Sequence, residues 1–378
     1  MLLVSSAMVG ELEKSALSAI IDSGWLTMGE RVRAFEEAFA TIHDAHDCVA
    51  VNSCTAALHL ILYALGVGPD DEVLVPSLTF VATANAVLYV GAKPVFTDIE
   101  SAEIPLMSIA DAESRCTPNT KAIILVHFAG YLANREAWQD LARRKELYLI
   151  EDAAHAPGLK EVGTFGDAAA FSFYGNKNMT TAEGGAVIAR DPALLQKVRQ
   201  ARGHGMTSGT HQRLNSRTPN YDVTMLGFNY RLDELRAAIG LVQLGNLLKW
   251  NEIRRNLNGH YRRLIAKHCP QVTVPFSQTW TSTHHILPVL LPCHVNRQKV
   301  IDHLRANEIQ TTIHYPPVHR LTLYRKMYPD IILSKTDAFA GRELTLPLHP
   351  LMTAATVEHV VAALEGSVCA DARAGYAA

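Results

Sequence analysis

Charge of one sign is missing from this sequence. Its 35 basic and 37 acidic residues are mixed along the chain, for a formal net charge of −2. Without a broad basic field there is nothing to gather phosphate backbones or anionic lipid, so no nucleic acid and no membrane partner is expected. Cysteine is sparse as well. Cys48, Cys54, Cys116, Cys269, Cys293 and Cys369 are scattered without a CxxC pair, which leaves no zinc-type spacing and fits a reduced, cytoplasmic protein. Long apolar runs are absent too: Leu58–Val67 and Ala122–Phe128, the most apolar stretches, fall well short of the roughly 18 residues that a membrane span needs. Met1 to Gly10 has no basic n-region and no cleavage-like site, so no export signal is expected. Internal repeats and low-complexity tracts are lacking.

What is present is a large apolar fraction, 48% of 378 residues, enough for a sizeable core spread over two or three structural units. Helical periodicity runs through Val9–Ser23, Glu30–Ile42, Thr55–Leu65, Arg135–Lys145 and Pro192–Arg202. Between these lie short runs rich in Val, Ile and Phe: Cys48–Val51, Glu72–Val75, Pro94–Asp98, Ala122–His127, Leu147–Glu151, Ala168–Phe173 and Ala186–Ala189. Strands alternating with helices predict an α/β fold with a mostly parallel sheet covered on both faces. A long helical pattern, Leu232 to Leu264, leads into strand-like Ile286–Leu291, helix-like Arg297–Asn307, strand-like Gln310–Ile313 and a last helix at Ala354–Ala363. The expected division is a large domain over 1–250 and a smaller C-terminal α+β domain over 251–378, with Ala370–Ala378 frayed.

In an open α/β sheet, ligands sit beyond the carboxyl ends of the strands. Polar residues directly after apolar runs are therefore the candidates. Lys177 follows Ala168–Phe173 and precedes the small, turn-forming stretch up to Gly184-Gly185; a solvated surface lysine is the ordinary alternative. Asp152 ends the Leu147–Glu151 run, where a partly buried acid needs a cationic partner; the ordinary alternative is a helix N-cap. His155 would share a face with Asp152 on a helical turn. It is either a cofactor contact, a backbone-satisfied core histidine, or a metal ligand with Asp152 and His127, and no metal site is expected because no further ligand stands at metal spacing. Thr55 opens a helix after Asn52-Ser53-Cys54, so free N–H groups there can receive a phosphate. Phe80 is either core or an aromatic face for a flat ring.

Taken in order, Gly24-Trp25-Leu26-Thr27-Met28-Gly29, Asn52-Ser53-Cys54-Thr55-Ala56-Ala57-Leu58, Pro76 to Thr83, Glu151-Asp152-Ala153-Ala154-His155-Ala156, Phe171-Ser172-Phe173 through Lys177 to Gly185, Asn229-Tyr230-Arg231 and His314-Tyr315-Pro316-Pro317 resemble the DegT/DnrJ/EryC1/StrS family of sugar aminotransferases. The resemblance covers nearly the whole chain and implies a fold type I, pyridoxal 5'-phosphate-dependent enzyme. It implies that Lys177 holds the cofactor as a Schiff base, Asp152 contacts the pyridine nitrogen, His155 the ring-oxygen side, Phe80 the ring face, and Thr55, Ala56 and Ser172 the phosphate. Asn229 would reach the phosphate of a neighbouring subunit, with Arg231 close by, which implies a homodimer with shared sites. Thr27, Arg231, His314 and Tyr315 match positions near the substrate. The implied reaction moves an amino group from L-glutamate to a keto sugar attached to a nucleoside diphosphate. The alternatives are a keto-cyclitol as acceptor, or a regulatory member of the family without turnover. A cysteine desulfurase is disfavoured, because no cysteine sits in an obvious catalytic loop and Cys54 reads as structural.

Overall fold

The alternation of apolar runs and amphipathic helices closes into one seven-stranded sheet covered by helices. The computed structural model describes residues 1–209, 220–277 and 279–375. Its strands β1 (Val49–Val51), β2 (Glu72–Pro76), β3 (Lys93–Thr97), β4 (Thr120–Val126), β5 (Tyr148–Asp152), β6 (Ala168–Ser172) and β7 (Gly185–Ala189) stand in the order β1-β7-β6-β5-β4-β2-β3. Strand β7 runs antiparallel to both neighbours, and every other pair is parallel. This is the mostly parallel sheet that the alternation predicts.

Why the sheet is buried on both faces is visible in β2. Val73 and Val75 enter one core with Ala122 and Ile124, while Leu74 enters the other with Ile123, Leu125 and Leu149. The period of two sends neighbouring side chains into separate layers. The first layer is closed by α3 (Cys54–Ala64) and α7 (Pro192–Ala201), the second by α6 (Arg135–Arg144) through Trp138 and Leu141. Helix α2 (Glu30–Ile42) packs Phe35 and Phe39 against Phe173 and Phe171, at ring separations of 5.3 and 5.0 Å. Its start is held by Glu234, whose carboxylate accepts the N–H groups of Gly29, Arg31 and Val32 at 2.9 Å each, satisfying donors that a helix N-terminus leaves over.

Glu234 opens the longest helix, Glu234–His268, of 35 residues, capped by Asp233. Its first half adds Ala237, Leu244 and Leu247 to the core beside β6 and β7, and its second half adds Leu257, Tyr261 and Ile265 to a C-terminal core. The expected division near Trp250 falls inside this helix. The C-terminal core is built on an antiparallel pair, β8 (Leu287–Leu290) and β9 (Glu343–Leu346), and on the last helix, Ala354–Gly375.

Several expectations need correction. Gln310–Ile313 is not a strand; only Thr312 bridges to Thr345, because the chain leaves the sheet edge there and turns toward the site. Helix α3 begins at Cys54 rather than Thr55, since Ser53 is the N-cap and accepts from Ala56 N. No helix follows Asp152, and the chain turns sharply instead. The tail from Ala370, expected to fray, is helical through Gly375, and 376–378 lie outside the described residues. Four short helices, Ala82–Tyr89, Ile109–Ser114, Thr322–Met327 and Ser334–Arg342, have no counterpart among the segments expected from periodicity. No helix among the described residues is long and apolar enough to cross a membrane.

Candidate active site

The carboxyl ends of β5 and β6 and the chain after β2 converge on the N-terminus of α3. Between them is a cavity of about 560 Å3 lined by Thr55, Phe80, Asp152, His155, Ser172, Lys177, His314 and Tyr315, among others. The topology explains the gathering. Asp152 and Ser172 are the last residues of parallel strands, so their side chains emerge at the same edge of the sheet.

Asp152 is 6% exposed. One carboxylate oxygen accepts from Thr83 Oγ1 at 2.8 Å, and the other accepts from Ala154 N at 3.2 Å, with Cys54 Sγ at 4.0 Å. Thr79 Oγ1 continues the chain to Thr83 at 2.8 Å. No lysine or arginine among the described residues forms an ion pair with Asp152, and burial raises its pKa above the usual carboxylate value despite the Thr83 and Ala154 hydrogen bonds. A carboxylate so placed calls for a cationic or N–H partner from within the cavity. Thr83, at the end of the Pro76–Thr83 motif, carries no local sign of this role, because its bond to Asp152 spans 69 residues.

His155 lines the cavity with Asp152, although through a tight turn and not a helical one. Its Nδ1 accepts the backbone N–H of Ala129 at 3.2 Å, and its Nε2 lies 2.9 Å from Tyr315 Oη. Burial, reinforced by the charge of Lys177, holds the ring well below its ordinary pKa. The neutral ring therefore carries its one proton on Nε2 and donates it to Tyr315. The Tyr315 hydroxyl proton is left to point elsewhere in the cavity. The histidine named as a possible third metal ligand, His127, is instead committed to Glu151 at 2.9 Å, both fully buried. No group of three or more His, Cys, Asp or Glu among the described residues could hold a metal ion.

Lys177 is half-buried on the loop after β6. Its amine makes no hydrogen bond or ion pair with the described residues. Desolvation, only partly offset by Cys54 and Asp152, lowers its pKa to about 8. That is not a solvated surface lysine, and a neutral amine at such a place is a nucleophile and a base.

At the other end of the cavity, the first two residues of α3, Cys54 and Thr55, offer N–H groups that no acceptor among the described residues engages. The turn preceding them lies flat against β7. A Cβ at Gly185 would come within 2.5 Å of the Ser53 carbonyl carbon and 2.6 Å of Cys54 N, so only glycine admits this approach. Ser172 lines the cavity beside this helix end, and Ala56 is buried just behind it. Phe80 is 60% exposed at the mouth, its ring 6.1 Å from that of Tyr315, which sets aside the core reading for this residue.

Three of the residues named from the sequence do not meet Lys177 within one chain. Thr27 and Arg231 line a second cavity, of about 870 Å3, with Arg33, Arg199 and Arg202. Asn229 is exposed and bridges to Gly203.

Compared with known proteins, residues 8–365 match the pattern of the DegT/DnrJ/EryC1/StrS aminotransferase family. Among solved structures, DesV of S. venezuelae is 33% identical, with 94% of this chain and 93% of that chain covered and a TM-score of 0.86. PseC of Helicobacter pylori, an aminotransferase involved in the biosynthesis of pseudoaminic acid, is 28% identical over 98% of this chain and 99% of its own, with a TM-score of 0.90. Spr1654 of Streptococcus pneumoniae in its PLP form is 26% identical over 97% of this chain and 98% of that one, with a TM-score of 0.89.

Proposed function

The chain belongs to the DegT/DnrJ/EryC1/StrS aminotransferase family and is a pyridoxal 5'-phosphate-dependent aminotransferase, and from that premise we propose that it moves an amino group from L-glutamate to a keto sugar carried on a nucleoside diphosphate. The observation that carries the reading is the placing, in one cavity, of an amine and a buried carboxylate that feel each other's charge, neither held in an ion pair among the described residues.

The residues present fit the cofactor. Asp152 would face the ring nitrogen and keep it protonated, and Phe80 would cover the ring face. The phosphate dianion suits the N–H groups of Cys54 and Thr55 with the Ser172 hydroxyl, at a helix N-terminus whose dipole favours an anion. His155 and Tyr315 would stand at the ring-oxygen side. When bound, the cofactor supplies an electron sink for the charge left on Cα of the amino donor. Lys177 would hold the cofactor, yield to the donor amine, and then carry the proton away from Cα. In the second half of the reaction Lys177 would move a proton in the opposite sense, onto the sugar carbon that gains the nitrogen.

Two protomers would complete each site. Thr27, Asn229 and Arg231 all lie away from Lys177 in one chain, as expected of residues that serve the partner's cavity, and the arginine-rich second cavity they adjoin suits a contact between subunits.

The depressed amine gives a test of the Lys177 role. Only the neutral form attacks an aldehyde, so the rate at which apoprotein captures pyridoxal phosphate is expected to rise with pH up to about 8 and then level off. Stopped-flow absorbance over pH 6 to 10 measures it, and a rate still climbing with an ordinary lysine pKa would count against the assignment. For the substrate, purified enzyme first charged with L-glutamate is offered nucleoside-diphosphate keto sugars and keto-inositols, with release of amino product read by mass spectrometry. Turnover of the nucleotide sugars is expected. Turnover of keto-inositols alone would make the enzyme a cyclitol aminotransferase, and no glutamate half-reaction at all would leave a family member without this activity.

A further inference from the structure

The C-terminal core reaches the cavity through a buried carboxyl that the reading above leaves without a part. Glu343 and Thr345 are alternate residues of β9, so both side chains stand on one side of the strand. Thr345 and Thr312 exchange backbone hydrogen bonds, at 2.8 and 3.3 Å, which fixes the segment carrying His314 beside them. Glu343 is fully buried. Its Oε2 accepts the backbone N–H of His314 at 2.9 Å, and its Oε1 is bonded to Thr345 Oγ1 at 2.6 Å. Thr345 Oγ1 in turn lies 2.9 Å from His314 Nδ1. The His314 ring lines the same cavity as Lys177.

We propose that Glu343 is a positioning residue for the second half of the site: through Thr345 it sets which ring nitrogen of His314 carries the proton, and so whether His314 offers the substrate a hydrogen-bond donor or an acceptor. The inference rests on the aminotransferase reading for the identity of the ligand, but the relay itself does not.

The logic is a count of protons. His314 is held neutral, its pKa lowered to about 4 by burial and by the charge of Lys177, so its ring has one proton for two nitrogens. When Glu343 is ionised it accepts from Thr345. The Thr345 oxygen then accepts from His314 Nδ1–H, and Nε2 is a bare acceptor. When Glu343 is protonated its O–H donates to Thr345, Thr345 donates to Nδ1, and the ring proton sits on Nε2. Passing between the two forms takes one proton up at Nε2, shifts one from Nδ1 to Thr345 and one from Thr345 to Glu343, with no charge left on the ring.

Among the described residues Glu343 has no ion-pair partner. Arg297 on the helix Arg297–Ala306 feels its charge, but the guanidinium is bonded to the backbone oxygens of Ala340 and Glu343. The other titratable groups facing the relay are Tyr315 beside Glu343, and Lys177, His155 and His285 around His314. Burial pushes the Glu343 carboxyl up to about 8, which puts the exchange within the working range of an enzyme. A carboxylate or a ketone oxygen has lone pairs and no proton, so the amino donor's carboxylate matches the form of His314 with Nε2–H.

The KM for L-glutamate is therefore expected to rise about tenfold from pH 7 to pH 9, as the donor form falls from most to a small part of the population. In E343Q the amide oxygen takes the His314 N–H and the amide NH2 donates to Thr345 at every pH, so its KM should stay flat over that range. The tautomer is read directly from the 15N shifts of His314 in holoenzyme labelled at histidine and free of substrate. The protonated and bare nitrogens should exchange places between pH 7 and 9 in the wild type and stay fixed in E343Q. Unchanging wild-type shifts, or the same exchange in E343Q, would overturn the relay whatever the kinetics. An exchange of shifts with a flat wild-type KM would overturn the assignment of His314 to the substrate. A protein with no glutamate turnover but with the exchange of shifts would retain the relay and lose the aminotransferase reading.

Discussion

Replacing Lys177 by alanine is expected to abolish the visible absorbance of lysine-held cofactor and to lower turnover by at least about a hundredfold, the usual cost of losing a general base. Lys177 is the one amine lining the cavity among the described residues, so no neighbour is placed to substitute for it. Arginine at this position would keep the positive charge but stays protonated, so it supplies neither nucleophile nor base. The variant should still fold, because the Lys177 side chain makes no hydrogen bond or ion pair whose loss would strand a partner. Absorbance spectra with and without L-glutamate check both halves of the expectation. A variant that retained the spectrum and the activity would remove Lys177 from the mechanism.

Asp152→Asn should leave cofactor affinity partly intact while slowing proton removal from Cα by roughly a hundredfold, comparable to the loss of one fixed electrostatic contact in an active site. The amide has the shape of the carboxylate, and its oxygen can still accept from Thr83 or from Ala154 N. What it cannot do is hold a proton on a ring nitrogen by opposite charge, which is the one service that a carboxylate without any other cation would perform. Single-turnover rates with ordinary and Cα-deuterated glutamate separate the two effects. An unchanged rate of proton removal would mean that the ring nitrogen lies elsewhere.

Much of this arrangement could be read from the residues because the sheet is made of short strands with apolar side chains on both faces. Strands β2, β4 and β7 fall within two residues of the runs predicted for them, and strand ends then locate Asp152 and Ser172 without further help. Periodicity says little where an apolar helix is brief, which is why Ala82–Tyr89 is missed: it places Ala84, Ala86 and Val87 in the core, but its eight residues are too few to set a period. His155 reaches the cavity by a turn whose shape depends on Ala129 and Tyr315, neither near it in sequence. The same limit hides Thr83 behind Asp152 and Thr345 behind His314, pairs 69 and 31 residues apart. Hydrogen bonds across such distances are products of the topology, and no local pattern announces them.

The helix Glu234–His268 has a mechanical consequence. Because it is one continuous rod that belongs to two cores, its two ends are locked in phase. Adding or deleting a single residue midway would rotate everything beyond by about 100° and swing the strand bearing Glu343 out of register with the loop bearing Lys177. The chain can change length in its surface connections, but the span of this rod is a fixed dimension of the enzyme.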